Sequence, residues 1–205
     1  MTDILALDIE TANYSHEIGG WDKTAMFEPT VVATWDGECG VIYCNKTLDG
    51  GFFPEEVIVK ELHPRVLGED IEAFVTKGGR VLGHNIRNFD LPILRDALDC
   101  WAAGDLLGKA ESIVDTSILC KKVGLANALV DLDTVCKHTL LEGKSGTSLE
   151  APLMWKQRRY DEVAAYCLKD SQLVYRLWKH GCEEGVIKSR CRQTGNILEL
   201  EVEWT

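Results

Sequence analysis

Two carboxylates directly follow the first apolar run of this 205-residue chain. The run is Ile4 to Leu7, and Asp8 and Glu10 come at alternating positions after it. Because successive side chains of a strand point to opposite faces, a strand here would place both carboxylates on one face. Two ionised carboxylates at the end of a buried strand repel each other, and a bound cation offsets that repulsion. Oxygen ligands suit Mg²⁺ or Mn²⁺, so the pattern predicts a metal site.

This two-residue pattern is weak evidence by itself. The chain contains 33 Asp and Glu residues, and the same spacing recurs at Asp70 and Glu72. That second pair lies in a polar stretch with helical spacing, and we expect it to face water. An acidic turn at a strand end is the alternative explanation for Asp8 and Glu10, so the rest of the chain must decide.

Two later segments combine further carboxylates with residues that can bind or orient a substrate. Asp90 follows Phe89 where a predicted strand, residues 80–84, gives way to a helix, and capping that helix would be its simplest role. Tyr166 and Asp170 are four residues apart in a long predicted helix, and they therefore share a face. A polar patch or a core tyrosine is the alternative explanation for this pair.

Taken together, these segments resemble the three motifs of the four-carboxylate 3′→5′ exonucleases. The resemblance covers about residues 4 to 180, and its motifs come in the family's order. They are Asp8-Ile9-Glu10-Thr11, then Asn85 followed after three residues by Phe89-Asp90, then Tyr166 followed after three residues by Asp170. The tyrosine is typical of the DEDDy subgroup, which has Tyr in place of His. The second and third motifs are most similar to the proofreading domain of family B DNA polymerases. Without the polymerase domains, the resemblance implies a free-standing nuclease or a subunit.

The resemblance implies an RNase H-like fold and hydrolysis of phosphodiester bonds at a single-stranded 3′ end, most readily of DNA, with release of nucleoside monophosphates. Two ions, Mg²⁺ or Mn²⁺, would activate water and stabilise the developing alkoxide. Asp8 would bridge both ions, and Glu10 and Asp170 would complete one metal site. Asp90 would hold the second ion directly or through water, and Tyr166 would orient the attacking water.

The same resemblance assigns substrate contacts to three more residues of the motifs: Thr11, Asn85 and Phe89. Asn85 would position the terminal nucleotide, and Phe89 would stack on it. One alternative is a catalytically weak nucleic-acid or protein-binding module that keeps the fold, and another is an endonuclease with a related metal site. The presence of all four carboxylates disfavours the first alternative, and the tyrosine before Asp170 disfavours the second.

Hydrophobic patterns predict an α/β protein with a mixed five-stranded sheet flanked by helices and an extra C-terminal strand. The five strands are expected at about residues 4–10, 31–35, 40–44, 80–84 and 112–115, and the helices at about residues 67–76, 91–101, 116–123, 132–141 and 161–184. Asp36-Gly37 is a hairpin signal between the second and third strands. We expect one domain over residues 1–205, with a core of about 1–185 and a strand extension at about 196–204.

Three connections lack a clear hydrophobic period. Residues 11–28, which include Gly19-Gly20 and Trp21, are predicted to form a loop near the site. Gly50-Gly51 starts a polar connection, and Glu142 to Pro152 is predicted to be a flexible loop.

Other potential metal ligands have simpler explanations. Asp115 comes before Thr-Ser and a helical pattern, and we expect it to cap that helix rather than bind a metal. The eight cysteines include no Cys-x-x-Cys and mostly lie in apolar segments, so buried free thiols are expected. His180, Cys182 and Cys191 match no zinc-ligand spacing.

A net charge of −11 argues against a protein that holds long duplexes by electrostatics alone. Nucleic acid remains a possible partner, since bound metal ions would neutralise part of this charge locally. The sequence contains neither a signal-like amino terminus nor an apolar run long enough to span a bilayer, so we expect an intracellular, soluble protein with no membrane partner. The alternating C-terminal segment could dock a protein partner.

Overall fold

A computed structural model of the chain describes residues 3–49, 52–124, 127–143 and 150–205. Six strands form one mixed sheet: β1 (Ile4–Thr11), β2 (Pro29–Trp35), β3 (Gly40–Cys44), β4 (Val57–Glu61), β5 (Arg80–Gly83) and β6 (Ile113–Asp115). Their order across the sheet is β4-β3-β2-β1-β5-β6. β2 is antiparallel to both of its neighbours, and the other neighbouring pairs are parallel. The α/β class is confirmed, and the sheet is consistent with an RNase H-like fold.

The sheet has six strands rather than the predicted five. The additional strand, β4, lies in the segment that the sequence predicts to be a polar connection. β4 pairs in parallel with β3 at the edge of the sheet. Ile58 and Val59 in its middle are exposed, so this strand lacks the alternation that marks a half-buried strand. Gly50-Gly51, where the connection was predicted to start, lie outside the described residues.

Seven α-helices occur in the described part of the chain: α1 (Pro64–Thr76), α2 (Asp90–Asp96), α3 (Trp101–Leu107), α4 (Thr116–Gly124), α5 (Leu132–Thr139), α6 (Glu150–Lys156) and α7 (Tyr160–Glu184). The single helix predicted over residues 91–101 is wrong, since Asp99 has a φ of 56° and separates α2 from α3. The loop predicted from Glu142 to Pro152 ends earlier, because α6 begins at Glu150. Residues 144–149 of that loop are not among the described residues.

The two faces of β1 pack against different helices. Leu7 and Ile9 belong to a core cluster with residues of α1, α2 and α3. Ile4 and Ala6 point the other way and pack with Leu173 and other buried residues of α7. Asp8 and Glu10 alternate in phase with Ile4 and Ala6, so both carboxylates face α7.

The C-terminal residues form a hairpin that is separate from the main sheet. β7 (Val186–Arg190) pairs in antiparallel register with β8 (Ile197–Glu201), and β7 was not expected. Beyond β8, Val202 and Trp204 are buried in the same core cluster as α7. The extension is therefore packed on the core, and docking of a protein partner to it stays a prediction. No helix in the described ranges has the length and apolar character needed to cross a membrane.

Candidate active site

Three carboxylates meet where β1 passes under α7. Oxygen atoms of Asp8, Glu10 and Asp170 all lie within 4.8 Å of one another. Asp8 and Glu10 stand opposite Ala33 and Val31 of β2, and Asp170 is only 1% exposed. The predicted sharing of a face by the first two carboxylates is therefore confirmed, and α7 adds the third.

A buried thiol joins the two elements that carry these carboxylates. The Sγ of Cys167, three residues before Asp170, donates to the backbone carbonyl of Asp8 at 3.3 Å. Burial raises the pKa of the Cys167 thiol well above its usual range, and the charges of Asp8, Glu10 and Asp170 raise it further. The group therefore stays a neutral donor, and its small size lets α7 approach the strand closely.

An irregularity in the β1–β2 pairing shapes the end of β1. Glu10 pairs with Val31 but Thr11 pairs with Pro29, so Thr30 is an extra residue on β2. The Thr30 hydroxyl donates to the carbonyl of Glu10 at 3.0 Å. Such a bulge bends a strand and redirects its side chains, here beside the acidic cluster.

A tight turn after β5 positions the second motif. Asn85 has a φ of 68°, a left-handed conformation that Asn tolerates better than most residues. Its carbonyl accepts from the backbone amides of Asn88 and Phe89, both at 3.1 Å. α2 begins at Asp90 with Phe89 in the cap position. Asp90 is thus not the cap of this helix, and it is only 4% exposed.

Asp115 holds this turn in place from the end of β6. Its Oδ1 accepts from the amides of Ser117 and Ile118 at 3.0 and 3.2 Å, which confirms the predicted cap of α4. The same atom also accepts from the Asn85 amide at 2.9 Å, and Oδ2 accepts from the Arg87 amide at 3.2 Å. The sequence predicted the cap but gave no sign of the link to the second motif, which joins residues 28 to 30 positions apart.

One cavity of about 500 Å³ collects all the residues predicted to act in the site. They are Asp8, Glu10, Thr11, Asn85, Phe89, Asp90, Tyr166 and Asp170. Tyr166 is 4% exposed and lies one helical turn before Asp170. Asp90 lines the same cavity without belonging to the three-carboxylate cluster. The structure thus brings the residues together, and their individual roles stay predictions.

The cavity also contains residues that the motifs did not reveal. His84 is held at both ring nitrogens: Nε2 lies 2.8 Å from the Val130 carbonyl and Nδ1 lies 2.9 Å from the Thr116 hydroxyl. Its position directly before Asn85 was the only sequence signal for it. The loop between β1 and β2 adds aromatic side chains, including Trp21 and Phe27.

The donor set fits a hard divalent cation. Two unit charges no more than 4.8 Å apart repel by at least about 3 kcal/mol at an effective dielectric constant near 20, and the cluster would contain three such pairs with all three carboxylates ionised. All three ligand side chains are carboxylates, and Mg²⁺ and Mn²⁺ prefer oxygen ligands. The cluster can therefore bind metal ions and would be relieved of repulsion by doing so.

We expect Asp115→Asn to lower the free energy of unfolding by about 2 to 4 kcal/mol. The new NH₂ group would face a backbone amide that now donates a hydrogen bond to the carboxylate. Chemical denaturation measures this loss. Asp131→Asn is the matched control, since the Asp131 side chain caps α5 through one hydrogen bond from the Thr134 amide. Among the described residues, that side chain makes no hydrogen bond to a second segment. Equal losses in the two variants would show that the bonds from Asp115 to the turn at Asn85 and Arg87 add no stability.

Millimolar Mn²⁺ or Mg²⁺ should raise the melting temperature of the wild-type protein, because a ligand that binds only the folded state stabilises it. Asp8→Ala should lose most of this shift, and without metal it should melt at the same or a higher temperature because repulsion is relieved. Glu72→Ala is the control, since Glu72 belongs to the other Asp-x-Glu pair and is exposed on α1. The metal assignment fails if Asp8→Ala keeps the full shift.

Comparison with known proteins finds no protein-family model that matches this sequence and no significantly similar curated protein. The site is therefore defined by its residues, their geometry and the architecture of the sheet.

Proposed function

We propose that this protein is a metal-dependent 3′→5′ exonuclease that acts on single-stranded nucleic acid, with DNA as the expected substrate, and releases nucleoside monophosphates. The observation that carries the proposal is the convergence of Asp8, Glu10 and Asp170, from two distant motifs, within 4.8 Å. Asp90 and Tyr166 line the same cavity. An acidic turn at a strand end, the alternative explanation for Asp8 and Glu10, would not require Asp170 to be buried beside them on a facing helix.

The carboxylates would hold two ions, Mg²⁺ or Mn²⁺. Asp8 would be shared between both ions, Glu10 and Asp170 would complete one site, and Asp90 would serve the other. When bound, such ions lower the pKa of water and stabilise the charge that develops on a leaving oxygen. The protein would supply the oxygen ligands, and the cavity of about 500 Å³ would receive the strand end.

Tyr166 would orient the attacking water through its hydroxyl. Its ring is almost completely buried in the α7 interface, so the hydroxyl is held in a narrow range of positions. Asn85 and Phe89 would hold the terminal nucleotide, and Thr11 would contact it from the end of β1. These residues come from three separate elements: the end of β1, the turn before α2, and α7. Asp115 of β6 holds that turn, and Thr30 of β2 bonds to the end of β1.

Incubation with Mg²⁺ and a 5′-labelled single-stranded oligonucleotide tests the proposal. We expect a ladder of products that shortens from the 3′ end and release of nucleoside monophosphates, whereas a 3′-labelled strand should lose its label in the first step. Parallel DNA and RNA strands of one sequence identify the preferred sugar. Binding of the strand without any shortening would instead favour the non-catalytic binding module, and internal cuts would favour an endonuclease.

Tyr166→Phe should lower the single-turnover cleavage rate by about 10- to 1,000-fold, because the hydroxyl that aligns the water is lost while the ring is kept. Binding of the single strand, followed by fluorescence anisotropy in Ca²⁺, should change little. Tyr175→Phe is the control, since Tyr175 lies on the same helix but does not line the cavity. An unchanged cleavage rate would make Tyr166 a core residue.

A further inference from the structure

An exposed indole stands beside the carboxylate cluster. Trp21 lies in the loop between β1 and β2, is 65% exposed, and lines the same cavity as Asp8, Glu10 and Asp170. Single exposed apolar side chains are common on protein surfaces, but this ring lines the cavity that contains the carboxylates, where a bound ligand would cover it. The motifs assign no role to this residue.

The loop that carries Trp21 is closed at its base. The Asn13 side chain donates from Nδ2 to the Met26 carbonyl at 2.9 Å, and its Oδ1 accepts from the Glu28 amide at 3.0 Å. The backbone amide of Ala12 also donates to the Glu28 carbonyl at 2.9 Å. These bonds tie the two ends of the loop together, next to the end of β1.

The middle of the loop is anchored to α2. The Thr24 hydroxyl donates to Oδ2 of Asp96 at 2.5 Å. Hydrogen bonds from Arg95 and Thr24 lower the pKa of Asp96 to about 2, so this acceptor is ionised at neutral pH. Gly19 and Gly20, with φ values of 92° and 136°, make the chain reversal before Trp21. The indole is therefore held by a defined loop.

Two phenylalanines support the indole from the protein side. The Trp21 ring lies 5.5 Å from that of Phe89 at an interplanar angle of 69°, and 6.2 Å from that of Phe27 at 28°. Phe27 and Phe89 pack edge to face at 5.5 Å, and Phe27 is buried. The three rings form an aromatic wall on one side of the cavity, and Trp21 is its exposed member.

We propose that Trp21 is a stacking platform for an unpaired base of the strand whose 3′ end lies at the carboxylates. This inference rests on the proposed function and specifies how its site recognises substrate. A base in a duplex already has both faces stacked, whereas an unpaired base offers a free face to an aromatic ring. Every base has such a face, so the platform selects single strands without selecting sequence. The net charge of −11 makes such apolar contact more important, because little general attraction to phosphates is available.

The test is binding of a short 5′-fluorescent single-stranded DNA, followed by anisotropy with Ca²⁺ in place of Mg²⁺. Trp21→Ala should weaken affinity by about 5- to 100-fold, the range that base stacking on an aromatic residue supports, and Trp21→Phe should keep most of it. Trp101→Ala is the matched control, since Trp101 is 43% exposed on α3 and lies outside this cavity. Melting temperatures of all variants show that the fold is kept.

A second probe separates stacking from general damage. A strand with abasic nucleotides near its 3′ end should bind the wild-type protein more weakly than the intact strand, and Trp21→Ala should remove that difference. The platform is overturned if Trp21→Ala binds within twofold of wild type, if it weakens both probes equally, or if the wild-type protein does not bind single strands. Because binding is measured without turnover, a wild type that binds through Trp21 but never shortens a strand would refute the exonuclease and keep the platform.

Discussion

The arrangement of this site depends on a close contact between β1 and α7 that forces like charges together. Asp8 and Glu10 share one face of β1, and α7 places Asp170 beside them, so Asp170 would leave the cluster only if the helix moved away. Packing prevents this, because Ile4 and Ala6 on the same face of β1 are buried against α7. Hydrophobic burial elsewhere along the same interface therefore offsets the repulsion between the carboxylates. A bound cation would reduce that repulsion further.

The small thiol of Cys167 shows how local chemistry supports that contact. A bulkier side chain would push α7 off the strand, and an ionised group would add a fourth negative charge. A neutral thiol that donates to the Asp8 carbonyl avoids both problems. On the other side of the cavity, Asp115 performs a similar structural task for the Asn85 turn, since it satisfies backbone donors of two segments with one buried carboxylate.

The parts of the fold that could be predicted are those with local signals. Asp36-Gly37 forms the expected hairpin, with Gly37 at a φ of 108°, and the 25-residue α7 ends at Glu184, as predicted, with Gly185 as its C-cap. β4 escaped prediction because an edge strand buries too little to impose a period on its sequence. The Asp115 link and the aromatic wall could not be predicted from the sequence. Each joins residues far apart in the chain, and these residues come together only when the sheet has folded. The motifs located the carboxylates, but not what supports them.

The charge of the chain limits how the cavity can hold a polyanion. Many of its cations are already paired with carboxylates, as in Lys156 with Glu17, Arg159 with Glu162, and both Lys169 and Arg176 with Glu142. Such pairs leave little positive potential to follow a long backbone. If the protein is the proposed exonuclease, its affinity for nucleic acid would have to come from a few contacts near the strand end. The proposed oxygen ligands for metal, the proposed stacking surface at Trp21 and the Asn85 turn would be contacts of this kind. Under the proposed exonuclease function, a site built in this way would favour a frayed or single-stranded end over the middle of a duplex, as cleavage from an end would require.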